Sequence, residues 1–462
     1  LYIEQTGDIN FLKRQVYYFK DAQTESGSRI DTLWDAGQGS LLRTENDDIS
    51  AGTILEHLLI QQLTAFYEVG DHNIYRLRGA DWNDALDMAP EHGESVAFTC
   101  AYAGNLRELA SMIRLLDRLS PKKNAELIEE LRVLLNDNTE LFENIKAKKD
   151  LLAEYMQSCS HRISGRRFTV RLSELAENLE HKADWLTKYL QDHEWIDGES
   201  DEGWFNSYYD DHGQAVEGFF PNEVRMMLTG QVFSIMGNVA SQKQIRRIVN
   251  SADHYLYQKE IGGYRLNTDF HELKFDMGRM FGFAYGEKEN GAVFSHMAVM
   301  YANALYRRGF AKEGWKALKT LAETSLDFDT SRIYPGIPEY FRSDGRGMYH
   351  YLTGAASWFM MTMITQVFGV RGEAGNLILA PQLTAEQFDS QGNASVSLVF
   401  AGKKLEVIYE NPKRKDSGTY TIASVTYDGQ HIQTDGSGQA AIPRRILDTL
   451  SDECHHIIVK LN

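Results

Sequence analysis

The chain has 462 residues and a formal charge of -17 at pH 7, with 43% hydrophobic and 24% charged residues. That composition belongs to a folded protein of two or three domains, not to a disordered one. The acidic balance, with no block of Lys and Arg against it, argues against nucleic acid as a partner. The longer apolar runs, such as Trp358 to Phe368, are too short and too polar for a membrane span, so none is expected.

The N-terminus shows no basic start, apolar core and small-residue cleavage site, and so no signal peptide is read there. Leu1 stands where a Met is expected and opens directly in a helical pattern, so it reads as an internal position of a longer protein. Cys100, Cys159 and Cys454 are too few and too scattered for a disulfide scaffold, and they lack paired metal-ligand spacing. Reduced structural thiols in a cytoplasmic protein, with no metal, are the expectation.

In chain order, Ser50 is a candidate N-cap for a helix whose face is Ile54, Leu55, Leu58, Leu59, Gln62, Leu63 and Phe66, ending near Gly70 and Asp71. A second helix is expected from Glu94 to Leu119, with Pro121 starting the next. Further helices are expected over Ser173 to Leu190, Pro221 to Met236, Ser241 to Leu256, Phe294 to Arg308, Ala311 to Thr324 and Ala355 to Phe368. Gly203 to Asp211 reads as a strand entering a turn. There is no βα alternation, which excludes a doubly wound sheet.

The helical period stops near Gly369. Val396, Leu398 and Phe400, then Leu405, Val407 and Tyr409, alternate with their neighbours as strand residues do. Thr419 to Tyr427 and His455 to Leu461 are also strand-like. Ala401-Gly402, Asp428-Gly429 and Asp435-Gly436 mark the turns. The fold class is therefore mainly α over residues 1–374, followed by a small antiparallel β-sandwich over 375–462 that caps the helical part or binds carbohydrate.

Three strings carry candidate chemistry. Asp81-Trp82-Asn83-Asp84 places two carboxylates, an indole and an amide on a loop between helices, where an Asx-rich capping turn is the plainer reading. Glu287-Lys288-Glu289-Asn290-Gly291 leads into a helix that begins near His296, a place where free backbone N–H groups can meet an anion. A helix cap followed by a core histidine explains the same residues. Thr353-Gly354-Ala355-Ala356 offers a hydroxyl and a bare N–H at a helix start, although close helix packing also favours small residues. The Gly-x4-Gly-Lys-Ser/Thr loop of nucleotide binders is absent.

Together the three strings, in this order, resemble the inverting sugar phosphorylases of the cellobiose phosphorylase family. That family includes chitobiose phosphorylase, the 1,2-β-oligoglucan phosphorylases and a part of the cyclic β-1,2-glucan synthases. The resemblance implies a partial or complete (α/α)6 barrel. It makes Asp84 the general acid and Trp82, Glu289 and Gln231 the sugar-contacting residues. Phosphate falls to His296, Thr353 and Gly354, within a Tyr351-Leu352-Thr353-Gly354 loop. It implies a β-linked gluco-oligosaccharide and inorganic phosphate as substrates and no cofactor. Ala85 and Ala292 replace family glycines, and Gln231-Val232-Phe233 replaces a Gln-Ser-Trp segment, which points away from plain cellobiose and towards the oligoglucan-acting relatives.

Family members are longer at the start. The resemblance therefore implies an N-terminal region, or a complementary chain, that completes the donor site; a homodimer is also compatible. Two other readings stay open. An inverting hydrolase on the same barrel would draw its base from Asp81, Glu287 or Glu289. A non-catalytic sugar-binding protein would not depend on Asp84.

Overall fold

A computed structural model describes every residue of the chain except Ser26, Ser200, Pro335, Tyr351, Leu352 and residues 434–437. The expected turn at Asp435-Gly436, and the first half of the Tyr351-Leu352-Thr353-Gly354 loop, lie outside the described residues.

Among the described residues, nine longer helices carry the architecture: α1 (Ile54–Tyr67), α2 (Val96–Leu119), α3 (Ile145–Ser158), α4 (Leu172–His193), α5 (Leu228–Met236), α6 (Gln242–Tyr255), α7 (Ser295–Arg307), α8 (Ala311–Leu326) and α9 (Gly354–Thr362). They form because apolar residues recur at helical spacing and because their starts are capped. Ser95 caps α2, and Ser241 with Gln244 builds a capping box on α6. The fold is thus mainly α with small β-sheets.

Three sequence expectations shift here. The cap of α1 is Thr53, not Ser50, because the Thr53 hydroxyl accepts the Glu56 N–H at 3.1 Å. Pro121 starts no helix; the chain turns into strand β1 (Asn124–Ile128), which pairs antiparallel with β2 (Arg167–Arg171). Pro221 lies at the turn of a hairpin formed by Gly218–Phe220 and Glu223–Arg225, so α5 begins only at Leu228. Pro221 fixes that turn rather than opening a helix.

Four helices line a central space. α2 packs on α5, α5 on α7, and α7 on α9, while α4 and α8 cover α2 and α7 from outside. Among the described residues α9 makes no comparable packing against α1 or α2, so these helices form an arc. Met360 on α9 is accordingly 60% exposed. The N-terminal ends of α2, α7 and α9 meet at one mouth of the arc, where the three candidate strings lie.

From Val370 the chain is mostly strand. β3 (Val370–Glu373), β4 (Asn376–Leu379) and β9 (Ala440–Ile442) form one sheet, and the β3–β4 hairpin straddles residue 374. β5 (Asn393–Phe400), β6 (Lys403–Glu410), β7 (Ile422–Tyr427), β8 (Gln430–Ile432) and β10 (Cys454–Leu461) form a second, in the order β5-β6-β10-β7-β8. Pairing in these two sheets is antiparallel except between β6 and β10, which run parallel. The inward residues Leu405, Val407 and Tyr409 are those picked out by the period-2 pattern. Among the described residues no helix is long and apolar enough to cross a membrane.

Candidate active site

The first string sits on the loop between α1 and α2. Asp81 is at its base, where its carboxylate accepts the Asn83 N–H at 2.9 Å and the Ser95 hydroxyl at 2.8 Å. Burial pushes this carboxyl up to about 6, against the lowering effect of those bonds. Asn83 is buried, and its amide accepts from Ala85 N–H and donates to Met280 Sδ at 3.3 Å. Asp84 differs from both. Its side chain is 81% exposed, and its one ion-pair partner among the described residues is the Arg279 guanidinium at 3.6 Å.

A second loop, residues 277–280, braces the first. Met88 N–H donates to Met277 O and Met280 N–H to Ala85 O, each at 3.1 Å, while Arg279 N–H donates to Asp87 Oδ1 at 3.2 Å. The Arg279 guanidinium also binds the Asp87 carboxylate. Gly278 lets the two loops touch, since a Cβ there would lie 2.0 Å from Ala85 O. Its backbone is extended, so the need for glycine is one of space and not of dihedral angle.

The second string places Glu289, Asn290 and His296 differently. Asn290 is a loop brace: its amide donates to Phe283 O at 2.8 Å and accepts from Asn267 at 3.2 Å. Burial, helped by the charge of Asp84, pushes the Glu289 carboxyl up from its ordinary value. Glu287 is committed elsewhere, to Arg342 at 2.9 Å and to the Tyr340 hydroxyl at 3.4 Å.

His296 is the second residue of α7. Its ring lies 5.7 Å from Trp82 and 5.7 Å from Trp358, centroid to centroid. Burial lowers its pKa from the ordinary histidine value, and Nε2 is buried with no hydrogen-bond partner in the structure. A buried nitrogen without a partner is costly and calls for an occupant. Gly354, the first residue of α9, lies against the same ring: a Cβ there would sit 3.5 Å from it. Thr353 caps α9, its hydroxyl accepting Ala355 N–H at 3.2 Å. The hydroxyl proton stays available to a ligand.

Trp82, His296 and Trp358 open onto a cavity of about 1010 Å³ inside the arc, which runs on past Phe98 and Phe233 to Arg308. The fold therefore brings Trp82, His296 and Gly354 together, with Thr353 alongside, and sets Glu289 within electrostatic range of Asp84.

Gln231 lies apart from the other expected site residues, and its placement does not fit the sugar contact expected of it. It is fully buried, accepting Phe205 N–H and donating to Phe205 O and Met227 O. Every polar atom of its amide ties α5 to a strand, which leaves nothing for a sugar. Phe233, two residues on and so on the other side of α5, faces the cavity instead. Arg279 reaches Asp84 and Trp358 lines the cavity, and neither is among the expected site residues. Trp358 is visible as an aromatic one turn after Gly354, whereas Arg279 lies in a loop without periodicity.

Residues 169–369 match the family model described as glycosyl hydrolase 94 superfamily, catalytic domain. This stretch is similar to the catalytic domain of that superfamily. It holds Arg279, Glu289, His296, Thr353 and Gly354, while the Asp81–Asp87 loop precedes it. The whole chain is similar to a solabiose phosphorylase of Paenibacillus borealis, 21% identical over 442 residues, covering 94% of this chain and 46% of that protein. It is also similar to a cellobionic acid phosphorylase of Neurospora crassa, 27% identical over 199 residues, covering 40% of this chain and 24% of that protein. A cyclic beta-(1,2)-glucan synthase of Rhizobium meliloti is 21% identical over 401 residues, covering 83% of this chain and 12% of that protein. The chain thus spans less than half the length of these relatives.

Proposed function

We propose that this chain carries the acid and phosphate sites of an inverting glycoside phosphorylase. It cleaves a β-glucosidic bond with inorganic phosphate and releases α-glucose 1-phosphate. Asp84 protonates the bridging oxygen as the bond breaks, which spares the departing sugar from leaving as an alkoxide. Phosphate attacks C1 from the opposite face, so configuration inverts and no carboxylate base is needed. Trp82 covers an apolar sugar face and Glu289 bonds hydroxyls.

The observation that carries this reading is the unpartnered His296 Nε2 beside Gly354 at the start of α9. A helix N-terminus, a threonine hydroxyl and an imidazole make a metal-free anion site. The hydrolase reading is weaker, because Asp81 and Glu287 are already bound by neighbouring side chains. Residues 375–462 act as a cap on the helical part. Segments outside this chain complete the arc of helices and the donor-sugar site. The preference for β-1,2-linked oligoglucans belongs to the same proposal.

The test is turnover of β-linked gluco-oligosaccharides by the intact protein with and without phosphate. Glucose 1-phosphate formed only with phosphate supports the proposal, and free glucose formed without it overturns the reaction class. His296→Ala should raise KM for phosphate at least about tenfold, as expected for a lost bond to a charged ligand, while KM for the sugar changes little. Equal loss of both would make the histidine structural.

A further inference from the structure

Asp84 and Arg279 stand in an awkward relation for a general acid. An exposed carboxylate beside a guanidinium favours its ionised form, whereas the acid must hold a proton. The structure shows what tempers this. Arg279 binds Asp87 through both backbone and side chain, and its approach to Asp84, at 3.6 Å, is the looser one. The pairing is fixed by the backbone as well. Gly278, Met277 and Met280 hold the loop against residues 85–88, so the Arg279 backbone stays at this corner while Asp87 decides where its guanidinium points. The other groups in play are Glu289, which interacts with Asp84, and Lys288 and Glu339, which act on Glu289 in turn. Asp81, on the acid's own loop, is engaged by Ser95 and Asn83.

We propose that Asp87 is a positioning residue for the phosphorolysis: by holding the Arg279 guanidinium it keeps that charge from fully pairing with Asp84, which leaves the Asp84 carboxyl free for the bridging oxygen. The inference rests on Asp84 being the general acid. Asp87 touches no reacting atom. It acts through Arg279, and its own negative charge adds to the effect by disfavouring a second carboxylate nearby.

The sign of the effect follows directly. An acid must be protonated, so kcat/KM falls as pH rises through its pKa. Asp87→Asn keeps the acceptor for the Arg279 N–H but removes the charge, freeing the guanidinium for Asp84. The alkaline limb of kcat/KM should then move to lower pH by about one unit, the scale of an opposite charge within a few ångströms. Arg279→Gln should move it to higher pH. The double variant should lie between the two. Phosphate titrates identically in every variant, so the differences report on the protein.

The experiment is the set of pH profiles of kcat/KM for phosphorolysis by the intact protein, with a natural β-glucoside and with β-glucosyl fluoride. Fluoride leaves without acid help, so its profile should not shift. Opposite shifts in the two single variants, confined to the glycoside, support the proposal. An equal loss at every pH without a shift, or the same shift on the fluoride, overturns it and makes the bracket a loop anchor only. Asp84→Asn separates the two levels. If that variant works normally on the glycoside, the acid assignment has failed and this inference with it. If it is impaired while Asp87→Asn leaves the limb in place, only the inference has failed.

Discussion

The Ser95 hydroxyl donates to Asp81 at 2.8 Å and accepts the Phe98 N–H at 2.9 Å. One side chain thus caps α2 and anchors the base of the loop that carries Trp82 and Asp84. Ser95→Ala should cost about 1–2 kcal/mol in urea unfolding, the usual loss for a capping hydroxyl. It should also lower turnover of glycoside and glycosyl fluoride alike, because it loosens the loop as a whole. Ser95→Thr should restore most of both.

Asp84→Asn should lower glycoside turnover roughly 10²-fold or more, the ordinary contribution of a general acid. The side chain is 81% exposed, so the amide costs the fold little. Phosphate binding should persist, and the fluoride substrate should be largely spared. Normal glycoside turnover in this variant would reassign the acid, with Asp81 tested next.

Gly278→Ala is the sharpest test of the loop bracket. The new methyl would meet Ala85 O at 2.0 Å, a contact with backbone that cannot swing aside. The expected cost is about 1–3 kcal/mol, as for other overpacked sites, together with reduced glycoside turnover. Unchanged stability and kinetics would show that the two loops separate freely.

Lys182 gives a prediction about pH and stability. Its ammonium nitrogen is buried beside Phe142 and donates to Asn136 O at 2.7 Å and Asn178 Oδ1 at 2.8 Å. Burial lowers its pKa to about 7, opposed by Asp137. Between that value and the ordinary 10.5 the unfolded chain holds a proton that the folded chain lacks. Stability from this group therefore rises with pH across that window. Lys182→Met should flatten the rise, read as unfolding free energy against pH. Part of the slope should survive, because burial also holds Lys148 well below its ordinary value. An unaltered slope would mean that Lys182 titrates normally.

Much of the helical frame was legible because long amphipathic stretches announce themselves. α2, α4, α6, α7 and α8 match their expected spans to within a few residues at each end. What escaped was non-local. β1 pairs with β2 across the whole of α3, and a five-residue strand among charges has no clear period. α3 itself buries Lys148 where a pattern search looks for an apolar residue. Pro121 and Pro221 were ambiguous because proline suits a turn as well as a first helical turn. At the site, resemblance offers Trp82, Asp84, Glu289, His296, Thr353 and Gly354 as candidates, and the fold brings Trp82, His296 and Gly354 together. Gln231 misled because a buried glutamine that satisfies backbone groups looks, in sequence, like one that contacts a ligand. The Gly278–Arg279 bracket was hidden for the opposite reason, since nothing in a loop shows which distant backbone it will touch.

The place of β10 has a consequence for how the protein is made. Residues 454–461 lie between β6 and β7, joined to β6 in parallel and to β7 antiparallel. Until they emerge from the ribosome, the two hairpins β5–β6 and β7–β8 face each other across a gap with apolar residues such as Val407 and Val425 uncovered. At ordinary synthesis rates of about 5–20 residues per second, the helices can settle first while this sheet waits for its central strand. A chain without residues 454–461 would keep its helices but carry two open sheet edges, the kind of species that aggregates or is handed to proteases.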